Sequence, residues 1–513
     1  MHRDTNPYGI GQVRKSLVHF LFGKGAAAFI GIGLLLLTVR ALPTETYGAY
    51  IALLAAFEII QLASNFGLFT AAYRYVPQLR ASNRGRDLRK LVCWLYMLRI
   101  LTLLTTVAVI NLFTDDSFEI LNIPKVGEII LIYSVAIVAE GLCRYLDILF
   151  DSLLQQKYSQ LSLIFRNGLR LMGLIGLIYV TNWNVSLINW VWIEVAASVI
   201  GAIFASALLI RHIASLPIGV GNSSEEKVHT RRYFTFLGPS YLSQIVGLVY
   251  GPETTKLILT KASGAIQVGA FGFAASLSGM LQRYLPVFLL LGLVRPLFVS
   301  VNASDNRASR LNELANLVLK LNIFVLFPAI AYVLVSGDKL AHVLSGGKFS
   351  NSAIYIAAFM ILLVFQTWHA VLGLVALAVG DGLSGLHGTL LGLLGLGIGL
   401  ALLPEYGPMS LCAGLIVSEI IWCIYVAHSL DKKKGVPIKN HWHSIANMFI
   451  FSATGFFAAF LINNITSISK YSLIIDVIII STIFLGLCYR FKPFNDDERN
   501  IINKILPRPI FVW

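Results

Sequence analysis

Charge is scarce in this sequence. Asp, Glu, Lys and Arg make up 13% of its 513 residues against 57% hydrophobic ones, a balance that leaves too little polar surface for a water-soluble chain of this length. Nucleic-acid binding is excluded by distribution, not by total charge. The formal net charge is +14, yet Lys and Arg are scattered over short connecting segments and gathered on no domain. Cysteine is rare and unpatterned: Cys93, Cys143, Cys412, Cys423 and Cys488 show no Cys-x-x-Cys spacing, so neither a thiolate metal centre nor a disulfide framework is indicated. The loops hold no His-Glu-x-x-His, no Gly-x-Ser-x-Gly, no Walker-type glycine-rich loop and no paired-aspartate cluster. No catalytic residue, metal or cofactor is therefore expected.

What the chain has in abundance is apolar runs of the ~20 residues that a bilayer-spanning helix needs. Arg14 and Lys15 precede the first of them as in a signal peptide, but the run is too long and has no Ala-x-Ala site, so it counts as a span. About fourteen spans follow from a window of ~19 residues. They are 17–39, 47–72, 91–113, 127–150, 164–182, 185–210, 236–258, 265–292, 315–336, 352–379, 384–403, 408–429, 445–463 and 471–490. Placing the amino terminus inside puts Arg74, Arg80, Arg84, Arg86, Arg89 and Lys90, then Arg211, Lys227, Arg231 and Arg232, and later Lys432, Lys433, Lys434 and Lys439 in inner loops. The opposite loops hold only scattered basic residues such as Lys125, Lys339 and Lys470. Both termini are thus expected inside. Two amphipathic pieces fall outside the spans, Arg307 to Leu317 and a tail helix capped by Asn495 and Asp496, and each is expected on the inner leaflet surface.

The chain repeats itself. Tyr47-Gly48-Ala49-Tyr50 opens the second span and Val268-Gly269-Ala270-Phe271 the eighth. At the same offset of 221 positions, 269 less 48, Gln61 meets Gln282, Arg74 meets Arg295 and Arg40 meets Lys261. Six spans separate the copies, so both insert with one orientation. The expected fold is an all-α polytopic membrane protein of two parallel six-helix lobes around a central cavity, plus two extra carboxy-terminal helices. In residues, that is an amino-terminal lobe over 1–212, a cytoplasmic linker over 213–235, a carboxy-terminal lobe over 236–430, two added spans over 445–490 and a cytoplasmic tail over 491–513. Such a repeat suits alternating access.

Ionisable residues inside spans are costly and normally face the bundle interior, a partner or water. Glu140, Arg144 and Asp147 lie at i, i+4 and i+7 and neutralise one another on one face, and Glu253 and Lys256 stand one turn apart. Arg99, Arg166, Arg170 and Lys320 lie near span ends, where snorkelling suffices. Lys24, flanked by Gly23 and Gly25, has no acid one turn away, and Arg283 sits deep beside Gln282 and Tyr284. These two are expected to line the cavity, and with Lys256, Arg40, Arg74 and Arg295 they make it cationic and attractive to a phosphate. Glu58, Glu253, Glu194 and Glu419 are candidates for ion coupling, and His369 beside Trp368 reads as a core residue in preference to a sugar-stacking site or a proton carrier.

Glu45-Thr46-Tyr47-Gly48-Ala49-Tyr50, Asn65-Phe66-Gly67-Leu68 and Tyr73-Arg74-Tyr75-Val76-Pro77 resemble the amino-terminal pattern of bacterial polysaccharide flippases, of the multidrug/oligosaccharidyl-lipid/polysaccharide exporter superfamily. Val268-Gly269-Ala270-Phe271 and Gly347-Lys348-Phe349 look like its second-half signatures. Two positions depart from the family: Asn65 stands where many members carry an acid, and Glu253-Thr254 replaces an Asp before the lysine. The resemblance implies a transporter, not an enzyme, that moves an undecaprenyl-diphosphate-linked oligosaccharide across the bacterial inner membrane. Its implied partners are that polyprenyl-diphosphate-linked glycan, the lipid bilayer, and polysaccharide polymerase and chain-length proteins; a monomer and no nucleic acid are expected. Alternatives are a lipid-linked peptidoglycan precursor flippase, a multidrug antiporter and a membrane polysaccharide polymerase or ligase.

Overall fold

A chain of continuous apolar runs can cross lipid only by satisfying its backbone hydrogen bonds within each run, which means helices. The protein, seen in a computed structural model, is described over residues 10–81, 84–112, 126–215, 230–289, 307–438, 441–465 and 472–505, and among these there is no strand. The helices are α1 (Ile10–Ala41), α2 (Thr44–Ala63), α3 (Leu68–Ala81), α4 (Gly85–Leu112), α5 (Val126–Ser152), α6 (Gln156–Thr181), α7 (Leu187–Ser215), α8 (Thr230–Val249), α9 (Pro252–Ser263) and α10 (Ala265–Tyr284). After them come α11 (Arg307–Ser345), α12 (Ala353–Ala378), α13 (Gly382–Ala401), α14 (Pro408–Lys434), α15 (Trp442–Ile465), α16 (Ser472–Phe491) and α17 (Asp496–Ile505). Twelve helices among the described residues are long and apolar enough to cross a membrane. The protein is a multi-pass membrane protein, and the two expected spans not among the twelve, 236–258 and 265–292, fall on broken helices.

The breaks have local causes. The expected span 47–72 stops at Ala63 because Phe66 and Gly67 take positive φ of 45° and 78°, and α3 starts afresh at Leu68. Between α8 and α9 stands Pro252, which has no N–H to give and so opens a new helix. The carbonyl of Gly251 instead accepts from the Thr255 amide at 3.1 Å and the Thr255 hydroxyl at 2.9 Å. After α10, Pro286 starts a single turn, and the amide of Val287 donates to Asn322 Oδ1 on α11 at 3.2 Å. The break after Ala63 begins at Ser64 and that after Tyr284 at Leu285, so the two stand at the same 221-residue offset as the repeated glycines.

The helices divide into two compact units, Met1–Leu248 with Lys256–Gly269, and Val249–Thr255 with Ala270–Trp513. In the first, α5 packs on α7 and α1 on α6. Its core joins Leu146, Leu149 and Phe150 of α5 to Val92 and Leu95 of α4 and Ala72 and Val76 of α3. In the second, α13 and α14 make the most intimate pair, through small residues as membrane helices do. A Cβ at Gly414 would stand 2.7 Å from the Gly395 carbonyl oxygen and 3.0 Å from the Gly399 Cα.

Two expectations about surface helices are corrected. Arg307 to Leu317 is no surface helix: it is the first part of α11, with Leu311, Ala315 and Leu317 buried in the core of the second unit. The tail does form a helix, but it is pinned to protein. Phe494 is 2% exposed and stacks near Phe324, while Glu498 accepts from the Lys320 ammonium at 3.0 Å and from the Asn495 amide at 2.8 Å. The helix was legible; its receptor, a buried lysine 178 positions away, was not.

Gly414→Leu should therefore destabilise the second unit by overpacking, on the order of 1–3 kcal/mol, seen as a lower melting temperature of the purified protein in detergent. Glu498→Ala should free the tail while the spans stay folded, and limited proteolysis should then cleave after residue 491 several-fold faster than in the unaltered protein.

Candidate functional site

In the first unit, five helices each turn one short polar stripe toward a common point. The stripes follow helical spacing, which puts residues three or four apart on one face: Glu140, Arg144 and Asp147 on α5, Arg166 and Arg170 on α6, Glu194 and Ser198 on α7. α2 adds Tyr50, Glu58 and Gln61, and α4 adds Arg99.

Glu140 lies at the centre, 5% exposed. Its Oε2 accepts from Arg170 Nη2 at 2.7 Å and faces Arg166 Nε at 3.3 Å, and its Oε1 accepts from Arg144 Nε at 3.3 Å. Arg166 also reaches Asp147 at 3.3 Å, and Arg170 is braced by Ser198 at 2.8 Å. Arg144 turns its two terminal nitrogens to Glu58, at 2.6 and 2.7 Å, in a two-pronged grip. Three arginines thus meet three carboxylates. A fourth acid, Glu194, is held by the hydroxyls of Tyr50 at 2.8 Å and Tyr133 at 3.1 Å. The cluster grades from buried to part-exposed: the Arg166 side chain is 3% exposed, whereas Arg144 and Glu58 are 36% and 30% exposed.

Arg99 serves the break in α2. Fully buried, it donates to the Ser64 carbonyl at 2.7 Å and to Gln61 Oε1 at 2.8 Å. Gln61 in turn donates to the Ile137 carbonyl at 2.5 Å, and Asn65 donates to Gln244 of α8 at 3.3 Å. A carbonyl released by the helix end thus gains a charged donor, which lipid could not supply.

The expected site residues are placed as follows. Lys24 is half-buried on α1, and its charge acts on Asp151 at the end of α5. Lys256 is buried on α9, and its charge acts on Glu58. Arg74 is half-buried with its guanidinium over the Tyr75 ring, Arg40 and Arg283 are exposed, and Arg295 lies outside the described residues. Glu253 is half-buried in the first turn of α9, where a carboxylate suits the helix dipole. Glu58 and Glu194 belong to the arginine cluster. Glu419, in the second unit, faces His369 Nδ1 at 2.7 Å. Among the described residues no three His, Cys, Asp or Glu side chains form a group that could hold a metal.

Sequence spacing alone assigned several partners incorrectly. Arg99, Arg166, Arg170 and Lys320 do not snorkel; all but Arg170 are at most 3% exposed, and each has a protein acceptor. The i, i+4 pairs Arg166/Arg170 and Glu194/Ser198 were the available signal, since two arginines on one face of an apolar helix call for acids on its neighbours. His369 was read as a core residue, and nothing local pointed to Glu419, 50 positions away.

The chain matches the family described as "Polysaccharide biosynthesis protein" over residues 13–299. No curated protein matches it. Among solved structures it is similar to the lipid II flippase MurJ in an inward closed conformation, at 12% identity and a TM-score of 0.68, covering 94% of this chain and 100% of that one. It is also similar to an inward-facing multidrug resistance MATE family transporter of the MOP superfamily, at 13% identity and a TM-score of 0.57, covering 82% and 99%. A MOP superfamily transporter from Pyrococcus furiosus, described as having a binding pocket of reverse polarity, matches at 15% identity and a TM-score of 0.54, covering 82% and 96%. At these identities the likeness is one of fold.

Removing Glu140 leaves three arginines short of a counter-charge in a dry site. Glu140→Ala should cost about 3–5 kcal/mol, read as a large loss of folded protein in detergent-solubilised membranes; Glu140→Gln, which keeps two polar atoms, should lose less.

Proposed function

We propose, on the premise that this chain belongs to the polysaccharide biosynthesis protein family, that it is a flippase. It carries an undecaprenyl-diphosphate-linked oligosaccharide, a repeat unit of surface polysaccharide such as O-antigen, capsule or exopolysaccharide, from the inner to the outer face of a bacterial inner membrane by alternating access. The observation that carries this reading is the part-exposed edge of the arginine cluster. There a part-exposed Arg144 is gripped at 2.6 and 2.7 Å by a carboxylate, Glu58, that also feels Lys256. A phosphate offers the same pair of acceptor oxygens with more charge. The substrate's diphosphate takes the place of Glu58 on Arg144, and Glu58 is released to bind a cation or proton.

Lys24, Lys256, Arg40, Arg74, Arg283 and Arg295 supply the wider positive potential that draws a dianion from water. The sugars travel in water and the prenyl chain stays in lipid. Glu194, Glu253 and Glu419 are the remaining candidates for ion coupling. Polysaccharide polymerase and chain-length proteins are the natural recipients of the product.

A lipid-linked peptidoglycan precursor is the second reading, favoured by the fold similarity to MurJ along the whole of that chain. Both readings share the diphosphate and differ in the sugar. A positive site disfavours a multidrug antiporter of cationic compounds.

Complementation separates the readings. In a strain whose surface polysaccharide depends on this protein, Arg144→Lys, Lys24→Ala and Arg283→Ala should each lower surface polysaccharide about tenfold or more, equal to about 1.4 kcal/mol in binding, with protein levels unchanged. Normal polysaccharide in all three would sink the site. Rescue of a strain lacking its wall-precursor flippase, without rescue of surface polysaccharide, would hand the function to the second reading.

A further inference from the structure

The second unit contains a polar pair that the arginine cluster does not explain. His369 on α12 places Nδ1 2.7 Å from Glu419 Oε2 on α14. Its ring lies flat on Trp422, with centroids 3.4 Å apart and planes within 5°. Trp422 is fixed in turn: it is 4% exposed, and its Nε1 donates to the Gly385 carbonyl of α13 at 3.2 Å. Three helices therefore hold the imidazole in one orientation.

Depth and surroundings give the pair its meaning. His369 is nine residues from the nearer end of α12 and Glu419 eleven from the nearer end of α14. At about 1.5 Å per residue each lies well over 10 Å from a helix end, in the middle of the span. The Glu419 charge acts on Tyr250, before α9, and on Cys423, one turn along α14, and neither of these is a cation. His387 of α13 lies against Tyr425 instead, and Lys320 of α11 is committed to Glu498. With a neutral imidazole the pair carries one negative charge; with an imidazolium it carries none. The His369 side chain is 34% exposed, while Glu419 is 13% exposed.

We propose that His369 and Glu419 form a proton-binding site that couples substrate export to proton influx. Nδ1–H is given to Glu419, which leaves the lone pair on Nε2 to take a proton from water on one side and return it to water on the other. Histidine is the side chain whose ordinary titration falls between pH 5 and 8. One proton here changes the net charge of a mid-membrane pair from minus one to zero, which biases any equilibrium between states that expose it to opposite sides. The coupling half of the proposal rests on the flippase reading. The proton site itself does not.

The stacked tryptophan supplies a direct probe. The full chain in lipid nanodiscs should lose tryptophan emission as pH falls from 8 to 5, because an imidazolium quenches the indole it covers. His369→Gln and Trp422→Phe should each remove that transition, and Glu419→Gln should keep it with a displaced midpoint. An identical titration in the unaltered protein and in His369→Gln overturns the proton site. In the polysaccharide-dependent strain, output should be several-fold higher at external pH 6 than at pH 8. His369→Gln and Glu419→Gln should flatten that profile at about a tenth of the output, with protein levels unchanged. A normal pH profile in both variants overturns the coupling. If the unaltered protein restores no polysaccharide, the flippase reading and the coupling fail together, and the emission titration still decides the proton site.

Discussion

A charge inside a membrane protein must find its opposite within the same fold, and in the first unit that requirement converges on one carboxylate. Glu140 receives guanidinium groups from Arg144, Arg166 and Arg170, carried by two helices. Each of those arginines reaches on to another group, Glu58 on α2, Asp147 on α5 or Ser198 on α7. Four of the spans are tied through a single acid. Lipid gives little hydrophobic drive for helices to associate, so close packing and this ionic knot have to hold them. The knot also grades outward to part-exposed side chains at Arg144 and Glu58, the edge at which the proposed substrate phosphate is gripped.

The two halves of the repeat solve one problem in two ways. Arg99 and Lys320 stand at the offset of 221 that relates Gly48 to Gly269, and both are fully buried cations that follow a broken span in the chain. In the first unit the cation serves the break itself, where Arg99 binds the Ser64 carbonyl. In the second, the break at Leu285 is met by the amide side chain of Asn322, and Lys320 turns to Glu498 of the tail. Both copies of the repeat hold a buried cation, and in the second the tail supplies its counter-charge. The lysine explains why α17 docks at all: without Glu498 the ammonium would be isolated in a dry core, a far larger penalty than that of an exposed lysine.

In the second unit small residues bring one pair of helices into close contact. The α13–α14 pair is drawn together at Gly395, Gly399 and Gly414, and that proximity lets Trp422 on α14 reach Gly385 on α13 and lie under His369. An apolar helix rich in glycine thus sets the orientation of the one imidazole among the described residues that is paired with an acid inside a span.

The sequence by itself determined the class, the approximate spans, the repeat and the family. Each is written in local composition, since ~20 apolar residues in a row make a span wherever they occur and an offset survives without coordinates. The breaks were read through as continuous spans, although Gly67, Pro252 and Pro286 each act on their own backbone. Pairing was a matter for the tertiary structure. Glu140, Arg144 and Asp147 looked self-sufficient at i, i+4 and i+7, yet the short bonds of Arg144 go to Glu58, 86 positions away, and Asp147 turns to Arg166 on the next helix. His369 and Glu419 likewise meet only because α12 and α14 are neighbours. Helical spacing shows which residues share a face; which face meets which is decided by packing between helices distant in sequence, and that contact assigns every buried charge its partner.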